Sequence, residues 1–310
     1  MDAMILASSG GAEERVVTDP YDIEVGGGNT FEISVPITAW TGDMNFGKRV
    51  YIPGTEYGGV IQAIESDTSK ETIFVRGYTW RGYLSKKLVN GTYSGDLHGI
   101  LRNMLGSYSG VFHVRSTASG LTASINLDKY TSIEDAVMTP ILAAGYRLSI
   151  RYIQTAVAGY VELAVVPAAQ YGDEVSQDSF IDFSIEDNRM TVNHLIVTDG
   201  TSQVDLYVDT AGVISTTQTQ IGIDEITEVY EAQSDLEENG RKHLKELIAY
   251  KTMKATFGNA NDIELNIGDL VSGVDYVTGL KTTKPITSKI VKYEDNELSI
   301  EYSIEEDGEA

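Results

Sequence analysis

The chain has 310 residues, enough for two or three domains, and contains no cysteine, which excludes a disulfide framework, thiolate metal sites and a cysteine nucleophile. Its hydrophobic and charged fractions, 42% and 22%, are ordinary for a globular protein, and no apolar run reaches the roughly 18 to 20 residues of a membrane helix. A net charge of −23 argues against tight binding of a nucleic-acid backbone, because phosphate affinity depends on Lys and Arg.

The first predicted elements belong to a small antiparallel β-barrel over residues 1–89. Apolar residues alternate with Asp22, Glu24 and Glu32 on either side of residues 26–29, GGGN, which predicts a hairpin. The segment 71–89, ETIFVRGYTWRGYLSKKLV, then combines a strand with a cluster of aromatic and basic residues. This cluster is unusual in such an acidic chain and requires an explanation.

Residues 90–175 are predicted to form an α+β insert. Apolar residues at helical spacing between positions 97 and 105 predict a helix that Gly106 ends. A second helix is predicted to begin at Thr131, where TSIE has the form of a capping box, and Pro140 lies inside it.

Residues 176–310 are predicted to form a second β-barrel that includes one long helix. The helix is expected to follow SDLE at 234–237, which also has the form of a capping box, and the last strand alternates strictly between apolar and polar residues. The order of elements over 47–80 and 267–304 is similar, which indicates a weak internal repeat. The predicted fold class is therefore α+β and mainly β, with two small antiparallel barrels flanking an inserted α+β domain.

No catalytic, cofactor-binding or metal-binding motif is found in the sequence. The four histidines lack metal-ligand spacing. We interpret His98 and His243 as helix-surface residues and His194 as a hydrogen-bonded strand residue. Acidic residues are so frequent that a glycosidase-like carboxylate pair stays an open alternative, although no particular pair is indicated. We predict a protein that is not an enzyme and has no cofactor.

Three segments, in this order, resemble baseplate hub proteins of long-tailed bacteriophages, the hub parts of the tail-associated proteins. They are IFVRGYTWRGYLSKKLV, MTVNHLIVTDG and LNIGDLVSG…KPITSKIVKYEDNELSIEYSIE, and the resemblance covers about residues 12–305. In that family three chains place six small β-barrels in a ring that continues the tail tube and closes or opens its distal end.

The resemblance implies a structural tail-tip protein that forms a homotrimer and lines part of the DNA ejection conduit without binding DNA specifically. Its expected partners are the distal tail protein ring, the tape-measure protein and receptor-binding or tail-fibre proteins. Its expected location is the virion, after assembly in the host cytoplasm. The alternative is a carbohydrate-binding or cell-wall-hydrolysing tail component.

Two expectations concern the ends of the sequence. Some relatives continue into a C-terminal lytic region, but this sequence stops at EEDGEA directly after the last predicted strand, so we expect the hub part alone. Near the N-terminus an Asp stands where a signal peptide has Lys or Arg, so we expect no export signal.

The aromatic-basic cluster supplies one set of candidate site residues. We predict that Tyr78, Trp80, Arg81 and Tyr83 contribute to a subunit interface, because aromatic and Arg side chains are enriched at interfaces. The competing interpretation is local, with Trp80 packed beneath the first barrel.

The distribution of charge supplies the second set of candidates. Residues 1–160 contain 13 Lys and Arg against 16 Asp and Glu, whereas residues 161–310 contain 10 against 30. We predict that acids of the second half line the lumen of the ring: Asp182, Glu186, Glu301 and Glu305. Strand periodicity alone does not decide whether their face is the lumen or the outside.

Overall fold

The structure, a computed structural model, consists mainly of strands with four α-helices in its described part, which confirms the mainly β prediction. The described residues are 3–106, 110–155, 158–172, 180–187, 191–209, 212–248, 251–258, 265–295 and 297–304.

Contacts within the chain define two compact units. The larger unit takes in Met1–Asp182, Ala255–Ser272 and Thr283–Glu305, and the smaller unit takes in Phe183–Lys254 and Gly273–Thr282. The three domain ranges predicted from the sequence stay a prediction.

The N-terminal part of the larger unit contains the hairpin that the sequence predicts. The backbone N–H of Gly26 donates to Oδ1 of Asn29 at 2.8 Å, and Gly26 has a φ of 94°. Glycine is required there, because a Cβ would lie 2.0 Å from the carbonyl oxygen of Thr287. The elements are β1 (Ile5–Ala7), β2 (Glu13–Val16), β3 (Tyr21–Val25), β4 (Thr30–Pro36), β5 (Arg49–Tyr51), β6 (Gly58–Val60), β7 (Ala63–Asp67), β8 (Thr72–Tyr78) and α1 (Trp80–Ser85).

The middle of the chain contains both helices predicted for it, the second shifted by one residue. Asp96 caps the first helix by accepting from the N–H of His98 at 3.0 Å. The N-cap of the second helix is Ser132, not Thr131, and its hydroxyl accepts from the N–H of Asp135 at 3.0 Å. The elements are β9 (Leu88–Asp96), α2 (Leu97–Leu105), β10 (Phe112–Val114), β11 (Thr122–Ser132), α3 (Ile133–Ala143), β12 (Tyr146–Gln154), β13 (Gly159–Pro167) and β14 (Gln170–Tyr171).

The last part of the chain returns to strands and contains one long helix. The capping box predicted from Ser234 is wrong, because the N-cap is Asp235, whose φ is 44° and whose side chain makes no capping hydrogen bond. The elements are β15 (Phe180–Asp187), β16 (His194–Thr198), β17 (Gln203–Val208), β18 (Ile214–Ser215), β19 (Thr227–Glu231), α4 (Leu236–Leu247), β20 (Lys251–Gly258), β21 (Leu270–Val274), β22 (Lys281–Pro285), β23 (Ser288–Glu294) and β24 (Glu297–Ile304).

The largest sheet joins strands from both ends of the chain, in the order β15-β20-β24-β23-β3-β4-β8-β7. β23 and β3 are antiparallel, with Val291 opposite Ile23. None of the sheets that the described residues form closes into a barrel, so the predicted pair of barrels is not confirmed. The physical reason is that β3 and β23 pair with each other, and the two groups of strands thereby extend one sheet.

Helices cover one face of a three-stranded sheet, β10-β13-β12, in the larger unit. Trp80 of α1, Leu101 of α2 and Val137 of α3 are fully buried in the same hydrophobic cluster as Ile150 of β12. This cluster leaves the opposite face of the three-stranded sheet available for polar side chains.

The smaller unit contains the sheet β18-β17-β16-β19, and α4 packs on β16 and β17. Its core includes Leu195, Leu206 and Leu244, which are fully buried. A Cβ on Gly240 of α4 would lie 2.4 Å from Cγ2 of Val197, so glycine lets the helix approach the sheet closely.

Candidate functional site

The eight-stranded sheet has one apolar face and one charged face. In β3, Ile23 and Val25 are fully buried, whereas Asp22 and Glu24 alternate with them. Paired positions continue this charged row across neighbouring strands, because Asp22 lies opposite both Lys292 and Glu32. We call this the acidic face, which comprises Asp22, Glu24, Glu32, Glu65 and Glu301 together with Arg76 and Lys292.

The acidic face is only partly neutralised by its two basic side chains. Arg76 forms ion pairs with both Glu32 and Glu65. Desolvation is the largest cause that raises the pKa of Asp22 above its usual value. The carboxylates of Glu24 and Glu301 raise this pKa further, whereas Lys292 lowers it. Five carboxylates against two cations therefore give this face a net negative charge.

A groove of about 590 Å³ crosses the acidic face. It is lined by charged residues of four strands and by the ring of Tyr78, which is 36% exposed. The charged side chains of the groove face away from the apolar core, where water or a polar partner can solvate them.

Of the four acids predicted to line a lumen, Glu301 lies on the acidic face and contributes to the raised pKa of Asp22. Asp182 lies on β15 of the same sheet, and Glu186 is an exposed residue of β15. Glu305 lies outside the described residues. The lumen assignment stays a prediction.

Most of the acidic face comes from the first 65 residues, which the sequence reasoning did not single out. The available signal was the alternation of Asp22, Glu24 and Glu32 with apolar residues in two adjacent predicted strands. The overall charge of the first half, close to neutral, concealed it, because most basic residues of that half lie away from this face.

The four predicted interface residues divide into two buried and two accessible side chains. Trp80 and Arg81 are 0% and 1% exposed, respectively. Tyr78 lies at the surface, whereas Tyr83 is half-buried. Their ring centroids are 6.3 Å apart in an edge-on arrangement. The interface hypothesis stays a prediction, and within it Tyr78 and Tyr83 retain the side-chain surface that a partner would contact.

Trp80 packs within its own chain, in an aromatic stack. Its ring lies 5.3 Å from that of Tyr152, which in turn lies 3.9 Å from that of Tyr51, both in stacked geometry. The stack joins α1 to β12 and β5, so Trp80 connects the first β region to the insert.

Arg81 occupies the centre of a buried ionic network. Its Nε and Nη2 donate to Oε2 of Glu56 at 3.1 and 2.9 Å, and its Nη1 donates to Oε1 of Glu134 at 3.0 Å. Thr79 caps α1 by accepting from the N–H of Gly82, which fixes the turn that carries Arg81.

Lys289 of β23 completes this network. Its Nζ lies 3.4 Å from Oε1 of Glu56 and donates to the hydroxyl of Tyr57 and the carbonyl of Leu265, each at 2.9 Å. Together, Arg81, Glu56, Glu134 and Lys289 link the loop between β5 and β6, two helices and a C-terminal strand.

The two carboxyl groups of the network differ in their ionisation. Burial raises the pKa of Glu56, but the opposing charges of Arg81 and Lys289 outweigh this effect and hold the pKa below its usual value. For Glu134 the loss of solvation outweighs the attraction of Arg81, so its pKa is raised.

The histidines have structural partners. His98 is 1% exposed, so its assignment to the helix surface is wrong. Its Nε2 accepts from the N–H of Val165 at 2.8 Å, and Nδ1 therefore carries the proton donated to the carbonyl of Thr117 at 2.7 Å. His194 is hydrogen-bonded, as expected, with ring nitrogens 2.6 Å from Glu225 and 2.9 Å from Asp205.

Neither a cluster of metal ligands nor a helix suited to cross a membrane is present among the described residues. No group of three or more His, Asp or Glu side chains in these ranges is placed to hold a metal ion. None of the helices in the described part of the chain combines the length and apolarity needed to cross a bilayer.

No protein-family model and no curated protein matches this sequence. Solved structures do match. The 43 kDa tail protein of prophage MuSo2 from Shewanella oneidensis aligns over 98% of this chain and 98% of its own, with a TM-score of 0.59 and 12% identity. The chain has the fold of a prophage tail protein.

Two further structures share this fold. The tail protein from Neisseria meningitidis aligns over 99% of this chain and 96% of its own, with a TM-score of 0.53 and 14% identity. A chain of the phage P2 baseplate in its activated conformation aligns over 99% of this chain and 100% of its own, with a TM-score of 0.51 and 12% identity. The likeness extends along the whole chain and is not limited to one unit.

Proposed function

We propose that this chain is a structural component of a phage tail tip, a baseplate hub protein whose ring continues or closes the distal end of the tail tube. The observation that carries the proposal is the fold shared with prophage tail proteins over nearly the full length of both chains. The resemblance of sequence segments from both ends of the chain to baseplate hub proteins supports the same function.

In the proposed assembly three copies form the ring. The eight-stranded sheet supports this arrangement, because among the described residues its outermost strands β7 and β15 each pair on one side only, and neighbouring copies would cover the other side. Each copy would contribute two β units, residues 1–89 and 176–310, around the insert at 90–175, so three copies match a hexameric tube. Tyr78 is the last residue of β8, which neighbours the outermost strand β7, and Tyr83 lies on α1, which follows β8 in the chain.

The proposed ring forms part of the DNA ejection conduit, with the acidic face toward the lumen. Phosphates passing a surface rich in carboxylates release no counterions by binding there, so DNA slides without being held. The proposed partners are the distal tail protein ring, the tape-measure protein and receptor-binding or tail-fibre proteins. The proposed location is the virion, after assembly in the host cytoplasm, and the role is structural, without catalysis.

The decisive experiment is an electron-microscopy reconstruction of the assembled particle in which this chain is located. We expect three copies around the tube axis at the distal end. A position away from the axis, or a ring of two or four copies, would contradict the proposal. A separate incubation of purified protein with cell walls tests the absence of catalysis, which sugar or peptide release abolished by one carboxylate substitution would disprove.

A further inference from the structure

The outer face of the three-stranded sheet β10-β13-β12 concentrates basic side chains. On β12, Leu148 and Ile150 point into the hydrophobic core, and the alternate positions Arg147, Ser149 and Arg151 line a pocket on the other side. Arg115, directly after β10, joins the same pocket. Three arginines in one pocket are unusual in a chain with 23 basic and 46 acidic residues.

Two of these arginines share a single carboxylate. Nη2 of Arg115 and Nη2 of Arg151 each lie 2.8 Å from the same oxygen, Oε1 of Glu162. The hydrogen bonds from Arg115 and Arg151 lower the pKa of Glu162, so it is ionised at neutral pH. Each guanidinium has five N–H donors, and this shared contact uses one from each. Two positive charges against one negative charge leave a surplus of +1.

The remaining walls of the pocket are polar and well defined. It has a volume of about 460 Å³, and Ser149, Thr55 and Asn266 contribute to its lining. Glu56 and Lys289 also line it, but their opposite charges lie 3.4 Å apart and cancel, so they do not change the surplus. Arg147 lies 2.9 Å, from Nε to Oδ1, from the buried carboxylate of Asp269, which neutralises this third arginine. The side chains of Arg115 and Arg151 are 35% and 46% exposed, so a ligand reaches them from solvent.

We propose that this pocket binds a carboxylate side chain from an acidic segment of a partner protein. A guanidinium presents parallel N–H groups that match the two oxygens of a carboxylate. The surplus of one positive charge balances a carboxylate, whereas a phosphate at neutral pH would carry nearly twice that negative charge. Binding of the carboxylate follows from the pocket itself, and only its source in a partner protein rests on the proposed assembly function.

The test measures binding of two capped tetrapeptides, Glu-Glu-Glu-Glu and Gln-Gln-Gln-Gln, and of inorganic phosphate to the full chain by isothermal titration calorimetry. We expect the Glu peptide to bind and the Gln peptide not to bind. We expect Arg115→Gln and Arg151→Gln each to weaken binding by about tenfold or more, since a hydrogen bond to a charged group is lost.

Arg241→Gln provides the matched control. Arg241 is 37% exposed and also pairs with one carboxylate, Glu237 at 2.8 Å, but it lies on α4 of the smaller unit. This variant should bind the Glu peptide as the unchanged chain does. Thermal unfolding of all three variants checks that each is folded.

Three results would overturn the inference: no binding of the Glu peptide, equal binding by all three variants, or tighter binding of phosphate than of the peptide. The outcome for the ring is measured separately, in particles assembled with Arg151→Gln. Arg151→Gln could abolish peptide binding while its particles still assemble a complete ring with every partner. That result would refute the assignment of the carboxylate to a partner protein and would leave the proposed function intact.

Discussion

The side chain of Arg81 is 1% exposed and meets carboxylates from two distant parts of the chain, Glu56 and Glu134. Burying these charges costs free energy that their mutual attraction offsets only while every partner is present. The centre of the aromatic-basic cluster at residues 71–89 is therefore a buried arginine that connects distant parts of the same chain. Its outer members Tyr78 and Tyr83 are the ones that stay accessible.

Removal of the buried guanidinium should be far more costly than removal of an exposed one. We expect Arg81→Met to lower the free energy of unfolding by roughly 3 to 5 kcal/mol, because Glu56 is left as a buried charge with a weaker counterion. Arg76→Met is the matched control, since Arg76 also contacts two carboxylates but is 39% exposed. Arg76→Met should lower the free energy of unfolding by about 1 kcal/mol or less. Urea unfolding monitored by fluorescence measures both, and equal losses would contradict this interpretation.

The two carboxyl partners of Arg81 should respond differently to the same substitution. Glu56→Gln should be strongly destabilising at neutral pH, because Lys289 and Arg81 both lose the carboxylate of Glu56 and Arg81 keeps only Glu134. Glu134→Gln should cost less, since burial already disfavours the ionised form of Glu134 and raises its pKa. An amide oxygen can still accept from Arg81.

The pH dependence of unfolding gives a second measure of this difference. Because the pKa of Glu56 is lowered by folding, its stabilising contribution is complete above the usual glutamate pKa and disappears as pH falls through the lowered value. Glu134 acts in the opposite direction, since its raised pKa makes the folded state less stable as pH rises past the usual value. In Glu56→Gln the acid-side loss of stability should be smaller than in the unchanged chain but not absent, because Glu162 also has a lowered pKa. An equal loss in both proteins would exclude Glu56 as a cause.

The partners of these buried residues could not be predicted from the sequence. Tyr57 and Lys289 meet although 232 positions separate them. His98 was misplaced for a similar reason, because the partners of its ring lie elsewhere in the chain, Thr117 in the loop after β10 and Val165 on β13. Local sequence identifies an unusual cluster of side chains but not the distant residues that surround it.

Helices were predicted best where all their signals are local. The N-cap Asp96 and the C-terminal Gly106 of α2 lie next to the helix in sequence, and both were identified or implied by the pattern. The N-terminus of α4 was predicted wrongly, because its N-cap Asp235 adopts a left-handed φ of 44°, which the four-residue motif SDLE does not specify. The direction from which the chain enters a helix depends on tertiary packing.

Replacing a glycine by alanine should have opposite effects on stability in α4, which packs closely on its sheet, and in α2. Gly240→Ala should destabilise the smaller unit by about 1 to 3 kcal/mol, because the new methyl group would overlap Val197 and Leu206. Gly99→Ala in α2 should instead stabilise the protein by up to about 1 kcal/mol, since no atom of the described residues outside its own helix lies within 4 Å of its Cβ position and alanine favours helix. Thermal unfolding of the two variants gives the signs, and a stabilising Gly240→Ala would disprove the close approach.

At the scale of the whole molecule, strand positions were predictable but their long-range pairing was not. Alternation identified β3, β4 and β24, and the sequence indicated two similar β regions. The pairing of β23 with β3 depends on contacts between opposite ends of the chain, which periodicity does not encode. The acidic face was missed for the same reason, because it becomes continuous only after β23 and β3 meet.

The proposed conduit predicts a specific effect of reversing charge on its wall. Particles assembled with Glu186→Lys and Glu301→Lys should eject DNA more slowly at low salt, because the new cations attract phosphate. Higher salt should restore the rate by screening. The variant should remain folded, since accessible charges contribute little to stability.

Charge reversal elsewhere provides the control for the ejection experiment. Asp128 and Glu231 are exposed and lie on strands outside the eight-stranded sheet. Replacing both by Lys changes the net charge equally and should leave ejection unchanged. Identical ejection rates in both double variants and the unchanged particle would remove the lumen assignment of Glu186 and Glu301, and with Glu301 that of the acidic face to which it belongs.

The pairing of β3 with β23 also governs when this protein can mature during its synthesis. At about 5 to 20 residues per second, the ribosome needs roughly 10 to 60 seconds to reach Val291 after Ile23 has emerged. Throughout that interval the edge of β3 lacks its native neighbour and is open to wrong partners. Chains that terminate before Glu294 lack all or part of β23 and cannot complete the sheet, so translation itself restricts assembly to chains that have been read past this strand.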